Sequence, residues 1–325
     1  MQRVTLGMSG LEVSPIAFGT WQLGGDWGDF DEGQAVAAIR AANDLGINFF
    51  DTAQAYGFGV SEALLGRALH NGLAHRREEL VIATKGGLRI DPDEGLVRDC
   101  SPAWLRRGVQ ESLRHLGVDY IDLYQLHWPD RQTPFAVSAQ ALSELVAEGK
   151  IRHVGVSNFS AAQMAEFSRA LPVEALQPPY HLFRRDIEDD VLPYAREHDI
   201  GVLVYGPLAH GLLTGAMDSG TRFASDDWRS KSALFTGETF QRNLQTVSEL
   251  EHFARERGYS VGQLAIAWTL ANPAVHVAIV GSRSIEHIED SLGALKIELS
   301  PEDLAEIDRI MAGAVPVAGP TPEST

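Results

Sequence analysis

Short apolar runs rich in β-branched residues alternate with amphipathic helical stretches along almost the whole 325-residue chain. The helical stretches repeat apolar residues every three or four positions, as in the stripe Ala35, Ile39, Ala42 and Leu45. Serine followed by proline, as at Ser101-Pro102, marks the start of such a helix. The strand-like runs are Ile16–Gly19, Ile47–Phe50, Leu80–Thr84, Tyr120–Leu126, Ile151–Val156, Glu174–Gln177, Val202–Tyr205 and Val275–Val280.

Eight strands that alternate with helices predict parallel βα units, with a sheet covered on both faces. This length suits a (β/α)8 TIM barrel, and an open doubly wound sheet is the less favoured alternative. We therefore expect one barrel domain over residues 1–312 and a flexible, proline-rich tail over residues 313–325. Two irregularities are predicted: a long loop at Pro207–Thr239 after strand seven, and an extra helix at Gly258–Asn272 before strand eight.

The charge balance narrows the range of partners. A formal net charge of -17 disfavours nucleic acid and anionic membranes, but it allows an anionic small ligand in a locally basic pocket. Cys100 is the only cysteine, and the sequence shows neither a signal-peptide pattern nor the ~20-residue apolar run of a membrane span. We expect a soluble, cytoplasmic protein that acts on a small molecule; the sequence leaves its oligomeric state open.

Polar or aromatic residues stand at the carboxyl end of each predicted strand. Strands two, three and four end at Asp51, Lys85 and His127, and Tyr56 follows Asp51 in a turn of small residues. In a (β/α)8 barrel all these ends converge on one face, where active sites are built, so the ring of residues predicts a site. The other ends are Thr20-Trp21, Ser157-Asn158, Gln177, Tyr205 and Ser282-Arg283.

The side chains of Asp51, Tyr56, Lys85 and His127 together suit proton delivery to an oxygen that gains negative charge. Lys85 lies in an apolar strand and needs a counter-ion, and Asp51 on the adjacent strand is the expected one. A phenol with an ordinary pKa of ~10 is a poor acid at neutral pH, but a neighbouring ammonium lowers that pKa. His127 can orient a substrate oxygen. The set therefore predicts carbonyl reduction.

Five segments of the sequence carry a resemblance to a known family. The segments "NFFDTAQAYG", "VIATKGG" and "DLYQLHWPD" contain those four residues, and they resemble the catalytic tetrad motifs of the aldo-keto reductase superfamily. "GKIRHVGVSNFS" and "VAIVGSRSIEHIEDSLGAL" are similar to its fifth-strand and eighth-strand signatures. The resemblance runs from about Val4 to Ile310, in the branch that includes the potassium-channel β-subunits. It implies reduction of an aldehyde or ketone by NADPH without a metal, with Tyr56 as proton donor.

The resemblance also implies a cofactor site. The segment after strand eight departs from the common family pattern at His287, Asp290 and Ser291, so the preference for NADPH rests mainly on Arg283, and some use of NADH is expected. Trp21 and Trp128 are expected to form the walls of the substrate pocket. The implied cofactor residues are Thr20, Trp21, Ser157, Asn158, Gln177, Tyr205, Gly206, Leu208, Gly211, Gly281, Ser282, Arg283, His287, Asp290 and Ser291.

Plainer interpretations exist for single residues. Gln177 can satisfy backbone groups at the barrel rim, and Arg283 can pair with Glu286 in the next helical turn. A second functional hypothesis is a cofactor-binding regulatory module with slow reductase activity. The histidines show no metal-ligand spacing, so a metal-dependent hydrolase is not expected.

Overall fold

The computed structural model describes residues 1–24, 30–225 and 227–316. Eight of its strands are parallel and close into a barrel in the order β10-β11-β12-β3-β4-β5-β8-β9, which confirms the predicted (β/α)8 fold. These barrel strands are β3 (Ile16–Gly19), β4 (Phe49–Asp51), β5 (Val81–Gly86), β8 (Ile121–Leu126), β9 (Ile151–Ser157), β10 (Ala175–Gln177), β11 (Gly201–Tyr205) and β12 (Val277–Gly281).

Helices cover the outside of the barrel, and two of them begin at serine-proline pairs of the predicted kind. Ser101 and Ser300 each precede a proline and accept a hydrogen bond from the backbone N–H three residues on, as N-cap residues do. The helices are α1 (Glu32–Asp44), α2 (Val60–His75), α3 (Pro102–Leu116), α4 (Phe135–Ala147), α5 (Ala161–Phe167), α6 (Val191–Glu197), α7 (Gly237–Glu256), α8 (Val261–Ala271), α9 (Ile285–Gly293) and α10 (Pro301–Met311).

The irregular segment between β11 and β12 follows the prediction closely. Three short 3-10 turns interrupt the long connection before α7. The predicted extra helix is α8, and Ser260 starts it with a capping box to Gln263. The capping box explains why the helix begins at Val261 and not at the predicted Gly258.

A feature that the sequence did not reveal closes the amino-terminal end of the barrel. The short antiparallel strands β1 (Val4–Thr5) and β2 (Glu12–Val13) form a hairpin. Leu6 and Val13 from this hairpin are fully buried in the apolar cluster that fills the barrel interior. Gly7 lies so close to β11 that a Cβ atom there would be 2.3 Å from Gly201 N. The opposite, carboxyl-terminal mouth is the one left for a site.

Two segments border the barrel. Strands β6 (Leu88–Asp91) and β7 (Gly95–Arg98) form a hairpin directly after β5. In the predicted tail, Val315 exchanges two hydrogen bonds with the side chain of Asn243, while residues 317–325 lie outside the described residues. Among the helices of the described ranges, none combines the length and apolarity that crossing a membrane requires.

Candidate active site

Four predicted side chains meet at the carboxyl-terminal mouth of the barrel. Lys85 Nζ donates to Asp51 Oδ2 at 2.6 Å, to Thr52 O at 3.0 Å and to Tyr56 Oη at 3.4 Å. The pair is buried, with 1% and 3% of the Lys85 and Asp51 side chains exposed. The ring of His127 lies edge-on to the Tyr56 ring, with 5.7 Å between the centroids. The phenol oxygen of Tyr56 thus lies next to an ammonium, and the Tyr56 ring lies next to an imidazole.

Local structure explains this convergence. Asp51 ends β4, Lys85 lies near the end of β5, and His127 directly follows β8, so three neighbouring strands each present one group at the same rim. The turn after Asp51 returns the chain, with Tyr56 N donating to Ala53 O at 3.1 Å. That turn brings the phenol back over Lys85.

Burial sets the electrostatics of this cluster. Desolvation lowers the pKa of Lys85, and the Asp51 carboxylate opposes that effect by attraction and by a hydrogen bond. Desolvation, with a smaller contribution from the Lys85 charge, holds the pKa of His127 well below its ordinary value. His127 is therefore neutral at pH 7, and a neutral imidazole carries one N–H donor.

The second carboxylate oxygen of Asp51 has partners of its own. Gln177 Nε2 donates to Asp51 Oδ1 at 2.8 Å, and Gln125 Nε2 lies 3.5 Å from the same atom. Gln177 was predicted to contact a cofactor; in the structure its amide N–H orients the carboxylate that holds Lys85. Gln125 was missed, although its position two residues before His127 places it on the same face of β8.

Ser157, Asn158 and Tyr205 form one hydrogen-bonded network beside this cluster. Ser157 Oγ donates to Gln177 O at 2.8 Å, and Tyr205 Oη donates to Asn158 Oδ1 at 2.9 Å. Asn158 Nδ2 donates to His127 O at 3.0 Å and to Ser157 Oγ at 3.1 Å, so both of its amide hydrogens are engaged. A ligand carboxamide would have to share or replace some of these bonds.

The turn after β11 has an unusual backbone. The φ angles of Gly206, Ala209, His210 and Gly211 are all positive, at 69°, 47°, 56° and 101°. Residues other than glycine, such as Ala209 and His210, rarely adopt positive φ angles. Such turns direct successive N–H groups toward a common point and suit an anion. Leu208, also predicted here, accepts a hydrogen bond from Gly211 N at 3.0 Å. Arg229 Nη1 donates to His210 O at 3.3 Å, and its Nη2 pairs with Asp227 Oδ2 at 2.6 Å.

The segment after β12 places Arg283 against the first connection of the barrel. Arg283 Nη2 donates to Gln22 O at 3.0 Å, and the guanidinium lies over the Phe30 ring at 5.5 Å. Burial lowers the pKa of Arg283 and the nearby Arg229 lowers it further, while Asp227 opposes both effects. Gly281 ends β12, and Ser282 Oγ donates to Ser284 O at 2.7 Å, beside the N-cap of α9.

The three predicted cofactor residues on α9 have partners within the protein or face solvent. Asp290 Oδ1 accepts from Gln263 Nε2 at 2.9 Å, and its Oδ2 accepts from Ser260 Oγ at 3.1 Å. Ser291 Oγ donates to His287 O at 2.7 Å, and His287 itself is exposed. Asp290 therefore ties α9 to the start of α8.

Aromatic rings wall one side of the mouth. Trp21 lies nearly parallel to Trp228, with 6.3 Å between centroids, and 6.4 Å from the Tyr56 ring. His210 meets both tryptophans edge-on. The sequence did not predict that Trp228 and His210 would lie at this mouth, because no local pattern shows where a long loop will fold. Beneath this wall, the buried Thr20 Oγ1 donates to Asp51 O at 3.2 Å.

Trp128, the other predicted pocket wall, follows His127 on the far side of the mouth. Its ring is covered by the Arg98 guanidinium of β7 at 5.1 Å. A cation on one face leaves less of the indole to contact a substrate than the stacked Trp21 and Trp228 offer.

The chain matches the model of the Aldo/keto reductase family over residues 15–312, a span that contains all eight barrel strands and the cluster at their carboxyl ends. The chain belongs to the aldo-keto reductase family. Members of this family are oxidoreductases that reduce carbonyl groups and use nicotinamide cofactors.

Similar aldo-keto reductases match along nearly their whole length. The Aldo-keto reductase YhdN of Bacillus subtilis is 40% identical over 317 residues, which are 97% of this chain and 95% of that protein. The NADH-specific methylglyoxal reductase of Escherichia coli is 33% identical over 97% of this chain and 99% of its own. The structure of the glycerol dehydrogenase AKR11B4 from Gluconobacter oxydans covers 95% of this chain and 94% of its own, with 42% identity and a TM-score of 0.86.

Proposed function

We propose that this aldo-keto reductase reduces small aldehydes or ketones to alcohols, with NADPH as the preferred cofactor and Tyr56 as the proton donor. The observation that carries this proposal is the placement of Tyr56 Oη 3.4 Å from the buried Lys85 ammonium, which Asp51 holds at 2.6 Å. An ammonium next to a phenol stabilises the phenolate that proton transfer leaves behind.

Each residue of the cluster has a distinct proposed task. Tyr56 transfers its phenolic proton to the carbonyl oxygen as that oxygen gains charge. Lys85 stabilises the resulting phenolate, and Asp51 keeps Lys85 in place and charged. His127, neutral because it is buried, donates its single ring N–H to the substrate oxygen and so orients the carbonyl.

The groups around the mouth fit a dinucleotide. The turn from Gly206 to Gly211, with its four positive φ angles, is the proposed site of the pyrophosphate, although the N–H groups of Ala209 and Gly211 donate within the turn, and Arg283 offers a guanidinium to a 2′-phosphate. A bound nicotinamide would supply the hydride for the carbonyl carbon. Tyr205, Ser157, Asn158 and Gln177 would lie beside that ring. Arg283 is the main basis for NADPH over NADH, because a guanidinium is permanently charged and suits the 2′-phosphate that only NADPH carries, and some NADH use is expected.

The proposed substrate is a small carbonyl compound with an apolar or aromatic portion. Trp21 and Trp228 form an apolar wall next to Tyr56, and such walls favour apolar groups near a few polar ones. The relatives named for methylglyoxal and glycerol make three-carbon carbonyls sensible first members of a test panel. A cytoplasmic location remains a prediction from the sequence.

Stopped-flow oxidation of NADPH by a panel of aldehydes and ketones tests the proposal, with Tyr56→Phe as the matched control. Phenylalanine keeps the ring and removes the proton, so we expect turnover to fall at least about a hundredfold, the typical contribution of a positioned acid, while the Kd for NADPH changes less than about twofold. If the wild type oxidises NADPH no faster than Tyr56→Phe does, and both proteins bind NADPH tightly, the result would support the regulatory module instead.

A further inference from the structure

A second buried carboxylate lies close to Lys85, on the opposite side of the barrel wall from Asp51. Glu62 belongs to the first turn of α2 and is fully buried, with 0% of its surface exposed. Its Oε1 accepts a hydrogen bond from Thr84 Oγ1 at 2.7 Å, and its Oε2 lies 3.4 Å from His115 Nδ1. A fully buried carboxylate is rare unless it is paired, because leaving water is costly.

The alternation of β5 explains how a residue outside the barrel can act on one inside it. Side chains of consecutive strand residues point to opposite faces, so Thr84 faces α2 while Lys85 faces the barrel mouth. Through its hydrogen bond with Thr84, Glu62 contacts the outer face of β5 at the residue next to Lys85. The negative charge of Glu62 raises the pKa of Lys85, which burial lowers and Asp51 also raises.

The other titratable groups around Lys85 divide between the two faces of the wall. Asp51, Tyr56 and His127 face Lys85 from inside the barrel. On the outer side, Tyr124 of β8 has a pKa raised by burial and by Glu62, so it stays protonated and carries no charge. Cys100 also lies near Tyr124 on this side, and α3 contributes His115 beside Glu62 and Glu111, which accepts from Gln54 Nε2 at 3.1 Å.

We propose that Glu62 is a positioning residue for the reaction, a second buried negative charge that keeps Lys85 protonated from outside the barrel wall. This proposal rests on the proposed function of Lys85 as the partner of Tyr56. Glu62 lies away from the barrel mouth where substrate and cofactor would bind, since its contacts are with Thr84 and His115 on the outer side of the wall. The first turn of α2 suits this role because the helix N-terminus stabilises a negative charge there.

Glu62→Gln tests the proposal, because glutamine keeps the shape and the acceptor for Thr84 while it removes the charge. The chain has only four lysines, Lys85, Lys150, Lys231 and Lys296, so 13C-labelled lysine gives four signals, and Lys85→Met assigns the buried one. We expect the titration midpoint of the Lys85 signal to move to lower pH in Glu62→Gln while the other three stay. We expect the alkaline limb of the pH–kcat profile to move to lower pH as well. On that limb kcat should fall by up to about threefold, while kcat on the neutral plateau stays unchanged.

Glu111→Gln is the matched control, since it removes a carboxylate from the neighbouring helix that is partly exposed and bonded to Arg107. His115→Arg is a second variant, at a partly exposed position, that offsets the Glu62 charge with a permanent cation and keeps the carboxylate. His115→Arg must shift the titration midpoint of the Lys85 signal and the midpoint of the alkaline limb to lower pH, as Glu62→Gln does. If Glu62→Gln does not fold, the result for His115→Arg tests the role of Glu62.

An unmoved Lys85 signal in a folded variant would overturn the proposal, as would an equal shift in Glu111→Gln. The lysine titration needs no turnover, so it distinguishes the two hypotheses. If the wild type shows no reductase activity but the Lys85 signal still shifts in Glu62→Gln, the proposed function fails while the electrostatic coupling stands. If activity is present and the signal does not shift, only the role of Glu62 fails.

Discussion

Asp51→Asn is expected to destabilise the folded protein by about 3–4.5 kcal/mol at pH 7, because it breaks a buried ion pair and leaves one charge behind. Asparagine keeps the shape of the side chain and the oxygen that accepts from Gln177 Nε2 at 2.8 Å. Lys85 Nζ then has only Thr52 O at 3.0 Å and Tyr56 Oη at 3.4 Å as near partners, and both are uncharged. The nearest remaining carboxylate charge in this part of the wall is Glu62.

The loss has a ceiling, because Lys85 can release its proton. Neutralising a lysine with an ordinary pKa of about 10.4 at pH 7 costs about 4.6 kcal/mol, at 1.36 kcal/mol per pH unit. At pH 9 the same arithmetic gives about 1.9 kcal/mol. The destabilisation caused by Asp51→Asn must therefore shrink as the pH rises, since Lys85 in the variant becomes easier to deprotonate.

Urea unfolding followed by tryptophan fluorescence measures this loss, and the chain has six tryptophans to report it. The double variant Asp51→Asn/Lys85→Met should recover most of the loss, because replacing both charges of a buried pair is often neutral. Glu148→Gln is the surface control: Glu148 pairs with Arg106 where both side chains are more than a third exposed, so its loss should stay below about 1 kcal/mol.

A loss under about 1 kcal/mol for Asp51→Asn, no greater than that of the surface control, would refute the idea that Asp51 maintains a buried ammonium. A loss that is the same at pH 7 and pH 9 would also refute it. In that case the variant would be acting through packing or through the Gln177 hydrogen bond.

Two further predictions concern the cofactor and acid stability. Arg283→Ala should weaken NADPH binding at least about tenfold, the effect of one charge-assisted hydrogen bond, and leave NADH nearly unchanged in fluorescence titrations; equal losses for both cofactors would contradict the 2′-phosphate contact. Burial lowers the pKa of His210 to about 4 and that of His181 well below its ordinary value, so the folded state binds fewer protons than the unfolded state, and stability should fall from pH 6.5 toward pH 4. A urea midpoint unchanged between pH 7 and pH 5, or a drop no shallower in His210→Asn, would contradict this reasoning.

Much of the site was predictable because it follows from strand order. Asp51, Lys85 and His127 stand at the ends of strands that a parallel barrel must bring to one face, and Tyr56 follows in a short turn. The contacts that organise these groups were less predictable. Gln177 and Asp290 stay predicted cofactor contacts, but the sequence did not indicate that Gln177 donates to Asp51 across 126 residues of sequence or that Asp290 bonds the N-cap residue of α8.

The sequence by itself determined the barrel, the starts of the helices at Ser101-Pro102 and Ser300-Pro301, and the identity of the polar cluster, since apolar periodicity, capping residues and strand ends are local signals. Only the tertiary structure revealed the hairpin of β1 and β2 that closes the amino-terminal end of the barrel, because its two-residue strands are too short to show an apolar periodicity. It also decided that Trp228 would lie over Trp21 and that Glu62 would reach Thr84. Those contacts join elements whose relative position is fixed by packing around the closed barrel, and no spacing along the chain encodes them.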